Sequence, residues 1–538
     1  MMIALFQYEP SMTVKYSLTF SMFGNVVLGL GSERHFHYYE EALEGKILGC
    51  FALTEISHGS NAKGMRTVAK YDPVTQKFLL HSPDFEAAKC WVGNLGKTAT
   101  HAIVYAKLIT PDGKDHGLHA FVTKIRDPET MLPYEGVTVG DMGHKGGLNG
   151  IDNGFALFDN YPVDREDLLN KTGDVTPEGE YVTPFKDPNK RIGANFAALS
   201  AGRVGIVSIC LAYMTKAVPI AVRYAATRRQ FGPEKKEELP ILEYPLHQWR
   251  LIPYLAAAVV LKNFGEFFSA ALAETSKHAI VFQAKLGIEI HTLSSSAKPV
   301  AAWITNLAIQ ESREACGGHG YLKIAGLCDL REDTDVNATY EGDNNVLIQQ
   351  TSNWLLQLWS KRKTPGVFDF PLGSVTFIAD ADKILNSKFT ATSVKEAVSP
   401  KVLQDAFQWL ICHLLKSTAA KIEILSKKGF DAFSVKNHSQ VYLARTLSLV
   451  YCEVCALPAT ILRDGILDLC SELKDDAVSL ADVIAPCDFA LNSALGMSDG
   501  ELYKNFQKAL CESPDTFTRP SWWRQVTFWE AALPASKL

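Results

Sequence analysis

Residues 194–218 read ANFAALSAGRVGIVSICLAYMTKAV. The stretch is apolar nearly all round and strand-like only locally. At that length it predicts a helix buried within a bundle, because a surface helix would show one apolar stripe and a strand would end sooner. Two more long helical runs follow it, LEYPLHQWRLIPYLAAAVVLKNFGEFFSAALAE at 242–274 and AIVFQAKLGIEIHTLSSSAKPVAAWITNLAIQESREA at 279–315. Residues 190–362 are therefore read as a helical bundle domain. Ahead of it, from about residue 46 to 165, the texture is β-like: KILGCFALTE, KFLLHSP, HAIVYAKLIT, HAFVTKI and GFALFDNYPV are separated by turn-forming YDPVTQ, TPDGKDHG and GGLNGIDNG. No helical pattern falls between these runs, which favours a sandwich or barrel over a parallel α/β sheet.

The expected fold class is thus α+β and multidomain. A central β domain (33–170) follows a helical segment (1–32), in which TVKYSLTFSMFGNVVLGLGSERH reads as one helix ending in glycines. One such helix buries little alone and must pack on the β region or on something else. The Pro/Gly/Phe-rich RKTPGVFDFPLGS marks a linker, and a second mainly helical domain (374–538) follows it. A chain of 538 residues is too long for one core.

The charges, 54 basic and 59 acidic, sum to −5, which argues against a nucleic-acid binder. The eleven cysteines are irregularly spaced and do not read as a disulfide framework. Cys452 and Cys455 form a CxxC without a second pair, and the His35/His37 and His116/His119 pairs lack carboxylates; no metal site is expected. Uninterrupted apolar runs such as YLAAAVVL at 254–261 are too short to cross a bilayer. The chain ends Ser536-Lys537-Leu538, a tripeptide read by the peroxisomal import receptor.

Four stretches carry candidate chemistry. In TYEGDNNVL (339–347), Glu341 precedes Gly342, which permits an unusual bend, and Asp343 or Asn344 can cap a helix beginning near Val346. Taken alone, Glu341 reads first as a solvated acid at a helix start. In an apolar pocket it becomes a general base with a raised pKa. In CGGHGYL (316–322), Gly317 and Gly318 either end a helix or let backbone amides approach a phosphate. In RYAATRRQFGP (223–233), Arg228 and Arg229 fall in the last turn of a helix, complementing its dipole or gripping a pyrophosphate. The β-region loops FALTEISHGSNAKG (51–64) and KCWVGNLGKT (89–98) offer small hydroxyl and glycine residues, with Trp91 as a stacking face.

The order of these motifs, LTE…HGS, KCWVGNLGKT, DNGFALFDNYPVDREDLLN, TRRQFG, CGGHGY and TYEGDNN, resembles the acyl-CoA dehydrogenase and oxidase superfamily. The SKL ending and the extra helical region favour the oxidases. Segments such as SPDFEAAKCWVGNLGKTATHA and LKDDAVSLADVIAP are similar to the peroxisomal branched-chain (pristanoyl-CoA) type. The resemblance covers nearly the whole chain from about Ser32.

It implies an FAD enzyme in which Glu341 takes the pro-R α-proton of an acyl-CoA thioester and the β-hydride passes to flavin N5. The product is the trans-2-enoyl-CoA, and molecular oxygen reoxidises the flavin to give hydrogen peroxide. It further implies that Thr54 and Gly93 contact the flavin with Trp91 beside them, and that Ser60 lies near the acyl-CoA. Arg228 would reach the FAD pyrophosphate of the neighbouring subunit, with Gly317 and Gly318 near the adenine-side phosphate; the enzyme is then a homodimer.

Some features depart from the family pattern. The helical domain ahead of the β domain reduces to one helix, and the C-terminal domain is short. Asp343 and Asn345 differ in type from the flavin-binding residues of dehydrogenases. No Asp-x-x-Arg for the CoA adenine is evident, Arg191 and Arg203 being near but not clear matches. A straight-chain acyl-CoA oxidase, a dehydrogenase passing electrons to a flavoprotein and a truncated non-catalytic isoform are the alternatives.

Overall fold

A computed structural model describes residues 2–185, 197–274, 280–456, 463–512 and 516–522. Ser536, Lys537 and Leu538 lie outside the described residues, as does Arg191.

The N-terminal segment is helical: α1 (Met2–Tyr8), α2 (Pro10–Ser17), a π-helical stretch (Leu18–Phe23) and α3 (Gly24–Leu30). The expected single helix therefore runs from Pro10 to Leu30 with a local widening, and stops at Gly31. Pro10 sets its start, since proline fits a first helical turn whose N–H would be unpaired anyway. This helix does pack on the β region: Phe23, Val26 and Val27 share a core with Ile103, Tyr105, Ala120 and Val122. A short α4 (Phe36–Leu43) leads into the sheets.

The β domain has one sheet in the order β1-β5-β2-β3-β9, with β6 on β5, and a second in the order β4-β8-β7. Their strands are β1 (Gly49–Ala52), β2 (Val68–Asp72), β3 (Lys77–His81), β4 (Lys89–Val92), β5 (His101–Ile109), β6 (Asp115–Lys124), β7 (Val137–Asp141), β8 (Gly154–Phe158) and β9 (Tyr161–Asp164). Both sheets feed one core, in which Phe78, Leu80, Val104 and Phe121 of the first meet Val92, Val137, Ala156 and Phe158 of the second. Two sheets on one core agree with the expected sandwich or barrel. Two pairings, β1 with β5 and β2 with β5, are parallel. Strands β2, β4 and β7 were not anticipated; Lys89–Val92 is strand where a loop was expected.

The opening stretch forms α5 (Ala197–Thr227). Its first half enters one apolar cluster through Val204, Ile206, Val207 and Cys210, and its second half enters another through Tyr213 to Ala225. Each fully buried Leu, Ile or Phe contributes roughly 1.5–3 kcal/mol. Around α5 pack α6 (Pro245–Glu274), α7 (Ile280–Ala315) and α8 (Leu327–Asp335), and α9 (Asn344–Ser360) packs on α7. Residues from 374 onward also bury side chains in both clusters, among them Ile411, Tyr451, Ala477 and Leu491. The Pro/Gly/Phe-rich stretch is anchored: buried Glu289 of α7 accepts from the backbone N–H groups of Leu372 and Ser374 at 2.7 and 3.0 Å.

Segments of α5 (Ser200–Thr227) and α6 are long and apolar enough to span a bilayer by length and composition, because helices tolerate a few charges that break an uninterrupted apolar run. Most of the α5 window is buried inside the protein, as in the core helix of a bundle.

Candidate active site

The bend between α8 and α9 presents Glu341. Its backbone is left-handed (φ 56°), and Gly342 follows at φ 105°. The sequence placed the unusual bend on the glycine alone; a glutamate in this region stores about 1–3 kcal/mol of strain that the surroundings must offset. They do so from three helices. Arg203 of α5 donates Nε–H to the Glu341 carbonyl at 3.1 Å. Lys298 of α7 donates from Nζ to the Gly342 carbonyl and to Asn344 Oδ1, both at 2.8 Å. Asp343 caps α9, its carboxylate accepting from the N–H groups of Asn345 and Val346 at 2.9 and 3.1 Å.

The Glu341 carboxylate lies over Gly202 of α5, where a Cβ would come within 2.8 Å of its Cδ and Oε2. Oε2 is shielded from solvent and has no hydrogen-bond partner, as is Asn344 Nδ2. Desolvation lifts the carboxyl to about 7, against the opposing pull of Arg203 and Lys298. That is the range suited to a base working at neutral pH. Burial holds His291 of α7 down at about 4, so it is neutral there; its Nδ1 meets Ser200 Oγ at 3.0 Å and accepts from Arg203 Nη1 at 3.4 Å. Arg203, which was no clear match to a CoA-adenine arginine in the sequence, is thus turned to Glu341.

A second group sits on the β domain. The Cys90 N–H donates to the Thr54 carbonyl at 2.9 Å, so Thr54 and Trp91 lie side by side. Trp91 is left-handed (φ 60°) and 60% exposed, its indole offered to whatever docks there. Beneath them, Lys89 and Glu55 form a fully buried ion pair at 3.0 Å. Glu55 also accepts from the N–H groups of Arg66 and Thr67, and Lys89 donates to the Leu53 carbonyl, which pins both sides of Thr54. Exposed Ser60 is on the same loop, next to Gly59, whose Cβ position lies 3.7 Å from Thr54. Gly93 packs beneath Leu18 of the N-terminal segment, where a Cβ would lie 2.3 Å from Leu18 Cδ1.

A third group gathers at the opposite end of α5. Arg228, just past the helix end rather than in its last turn, donates to Tyr503 Oη at 3.0 Å. Gly317 (φ 59°) and Gly318 follow the end of α7, and their neighbour His319 meets Tyr224 Oη at 3.0 Å. The 26 residues of helix from Gly202 to Thr227 span about 39 Å, so Arg228 and the glycines stand far from the Glu341 of their own chain.

An exposed indole beside Thr54 and an orphaned, desolvated carboxylate oxygen fit a flat heterocycle and the acidic carbon of a thioester. Sequence reasoning missed Gly202, Lys298, His291 and the Lys89–Glu55 pair. No local signal singled them out: the helix that carries Gly202 also holds Gly205 and many alanines.

The acyl-CoA oxidase C-alpha1 domain matches residues 196–356, acyl-CoA oxidase matches 399–461 and 456–529, and the acyl-CoA dehydrogenase middle domain matches 50–161. Human peroxisomal acyl-coenzyme A oxidase 3 is 46% identical over 575 residues, spanning 97% of this chain and 82% of that protein. Acyl-CoA oxidase 1 of Arabidopsis thaliana superposes with a TM-score of 0.86 at 28% identity, covering 95% of this chain and 84% of that one. Acyl-CoA oxidase-2 of Caenorhabditis elegans, solved with FAD, ascaroside-CoA and ATP, gives 0.84 at 26%, covering 97% and 84%. The chain belongs to the acyl-CoA oxidase family, among the peroxisomal flavoprotein oxidoreductases of fatty-acid β-oxidation.

Proposed function

We propose that this chain dehydrogenates 2-methyl-branched acyl-CoA thioesters to trans-2-enoyl-CoA, with Glu341 as the base, FAD as the cofactor and molecular oxygen reduced to hydrogen peroxide. The observation that carries it is the Glu341 carboxylate, held in a strained bend with one oxygen shielded and unbonded. The branched class rests on the segments similar to that type. FAD, when bound, supplies the acceptor for the β-hydrogen and its electron pair and hands the electrons to oxygen.

The chain's own residues do the rest. Glu341 Oε2 takes the α-proton as the α C–H bond breaks and the O–H bond forms; the carbonyl of the thioester accepts the charge. Desolvation makes the carboxylate a stronger base than it is in water. Arg203 and Lys298 counter that rise enough to leave part of it ionised near neutral pH. Thr54 and Trp91 would hold the flavin ring, and Ser60 the acyl-CoA side. Arg228, Gly317 and Gly318 would serve the phosphates of a cofactor bound mainly by a second subunit, since they lie too far from their own Glu341. Exposed Phe231, Leu246 and Trp249 would offer that homodimer an apolar contact. Ser536-Lys537-Leu538 would engage the import receptor.

The test is peroxide release by the purified, FAD-supplemented chain given 2-methyl-branched and straight-chain acyl-CoA in air, with Glu341→Gln as control. Peroxide from the parent alone, faster on the branched thioester, is expected. Faster turnover of the straight chain would move the substrate class, and a colourless protein without peroxide would end the enzymatic reading.

A further inference from the structure

Lys298 is fully buried in α7, and its ammonium is bonded to two neutral acceptors, the Gly342 carbonyl and Asn344 Oδ1. A buried ammonium satisfied by neutral groups is costly, and its two bonds bracket the residue after Glu341 and the first residue of α9. Together with Arg203, it leaves the carbonyls of both left-handed residues, Glu341 and Gly342, each held by a cation from a different helix. Without the α7 anchor the bend would relax toward ordinary backbone angles and swing the carboxylate off Gly202.

We propose that Lys298 is the positioning residue of the base: it locks the Glu341-Gly342 bend through the Gly342 carbonyl and Asn344, and sets its ammonium near the carboxylate. The inference rests on the reading of Glu341 as the base. The ionisable groups around the bend are Arg203 and Cys210 from α5, His291 and Lys298 from α7, Asp343 at the cap of α9 and Tyr340 on the bend itself. Of these, Arg203 and Lys298 are the cations that favour the ionised carboxylate, and Arg203 is held in place independently by the Glu341 carbonyl.

The experiment compares Lys298→Met and Lys298→Arg with the parent for kcat, KM and the pH midpoint of kcat, normalised to bound flavin by its absorbance. The Met variant should lose at least about tenfold in kcat, with KM changed less than about threefold. Its midpoint should move up by about one pH unit, because a cation favouring the carboxylate is gone. The Arg variant should keep the parental midpoint. Should the Met variant fail to fold, Lys298→Gln keeps a donor, removes the charge and should show the same upward shift. An unmoved midpoint in a flavin-loaded neutral variant would overturn the proposal. Near-parental turnover by Glu341→Gln would instead overturn the reading of Glu341 on which it rests.

Discussion

Replacing Gly202 by alanine separates the proposed base, Glu341, from the fold. The added Cβ would sit 2.8 Å from Glu341 Cδ and Oε2 and 2.9 Å from Oε1, whereas ordinary contact begins at 3.4 Å. The carboxylate is the free end of a side chain with rotatable bonds, so it can retreat by roughly 0.6 Å without moving either helix. A displacement of about 1 Å at a reacting group costs on the order of a hundredfold. The expected loss in kcat for Gly202→Ala is therefore roughly ten- to a hundredfold. Stability moves the other way: alanine in a helix interior is favoured over glycine by about 1 kcal/mol. The variant should melt at or above the parental temperature and keep its flavin while turning over slowly. The assay is steady-state peroxide release per bound flavin beside a thermal melt. A kcat within about twofold of the parent, with flavin retained, would refute the placement of the base over α5.

Glu341→Gln should abolish peroxide release while leaving flavin binding intact, measured by absorbance. In the parent, kcat should rise with pH through about 7 and level off above it, because the base must be ionised and burial lifts the Glu341 carboxyl to about 7. A carboxyl raised by folding contributes stability present below its unfolded value and lost as pH climbs through its folded one. Glu341→Gln should therefore melt above the parent at pH 8 and close to it at pH 4; a deficit at pH 8 would contradict the desolvated setting. Lys89→Met leaves the Glu55 carboxylate buried without its cation and should cost about 3–5 kcal/mol, read by urea unfolding. Arg228→Ala should release flavin on dialysis while leaving the chain folded by circular dichroism, since the Arg228–Tyr503 bond is exposed and contributes little.

Much of the architecture was legible in the linear pattern. The length and all-round apolarity of 194–218 imply a helix with protein on every side, and α5 lies in two apolar clusters. Short β-rich runs separated by turn chemistry, with no helix between, implied a sandwich or barrel, and the N-terminal helix, which buries little alone, packs on it. A cap at Asp343 or Asn344 followed from their position before an apolar face, and Asp343 is the one that caps. Strand β4 was hidden because its bulge and the left-handed Trp91 break the period of two.

The chemistry of the site was not local. The sequence by itself determined that a glutamate stands at a glycine bend before a capped helix, and its motif order pointed to the family. Whether that glutamate is a solvated acid or a base depends on Gly202, Arg203, His291 and Lys298, which come from two other helices 139 to 43 residues away along the chain. Only their packing removes water from one carboxylate oxygen while leaving it unbonded. Desolvation is a property of the space around a group, and that space is assembled by tertiary contacts that no neighbouring residue encodes.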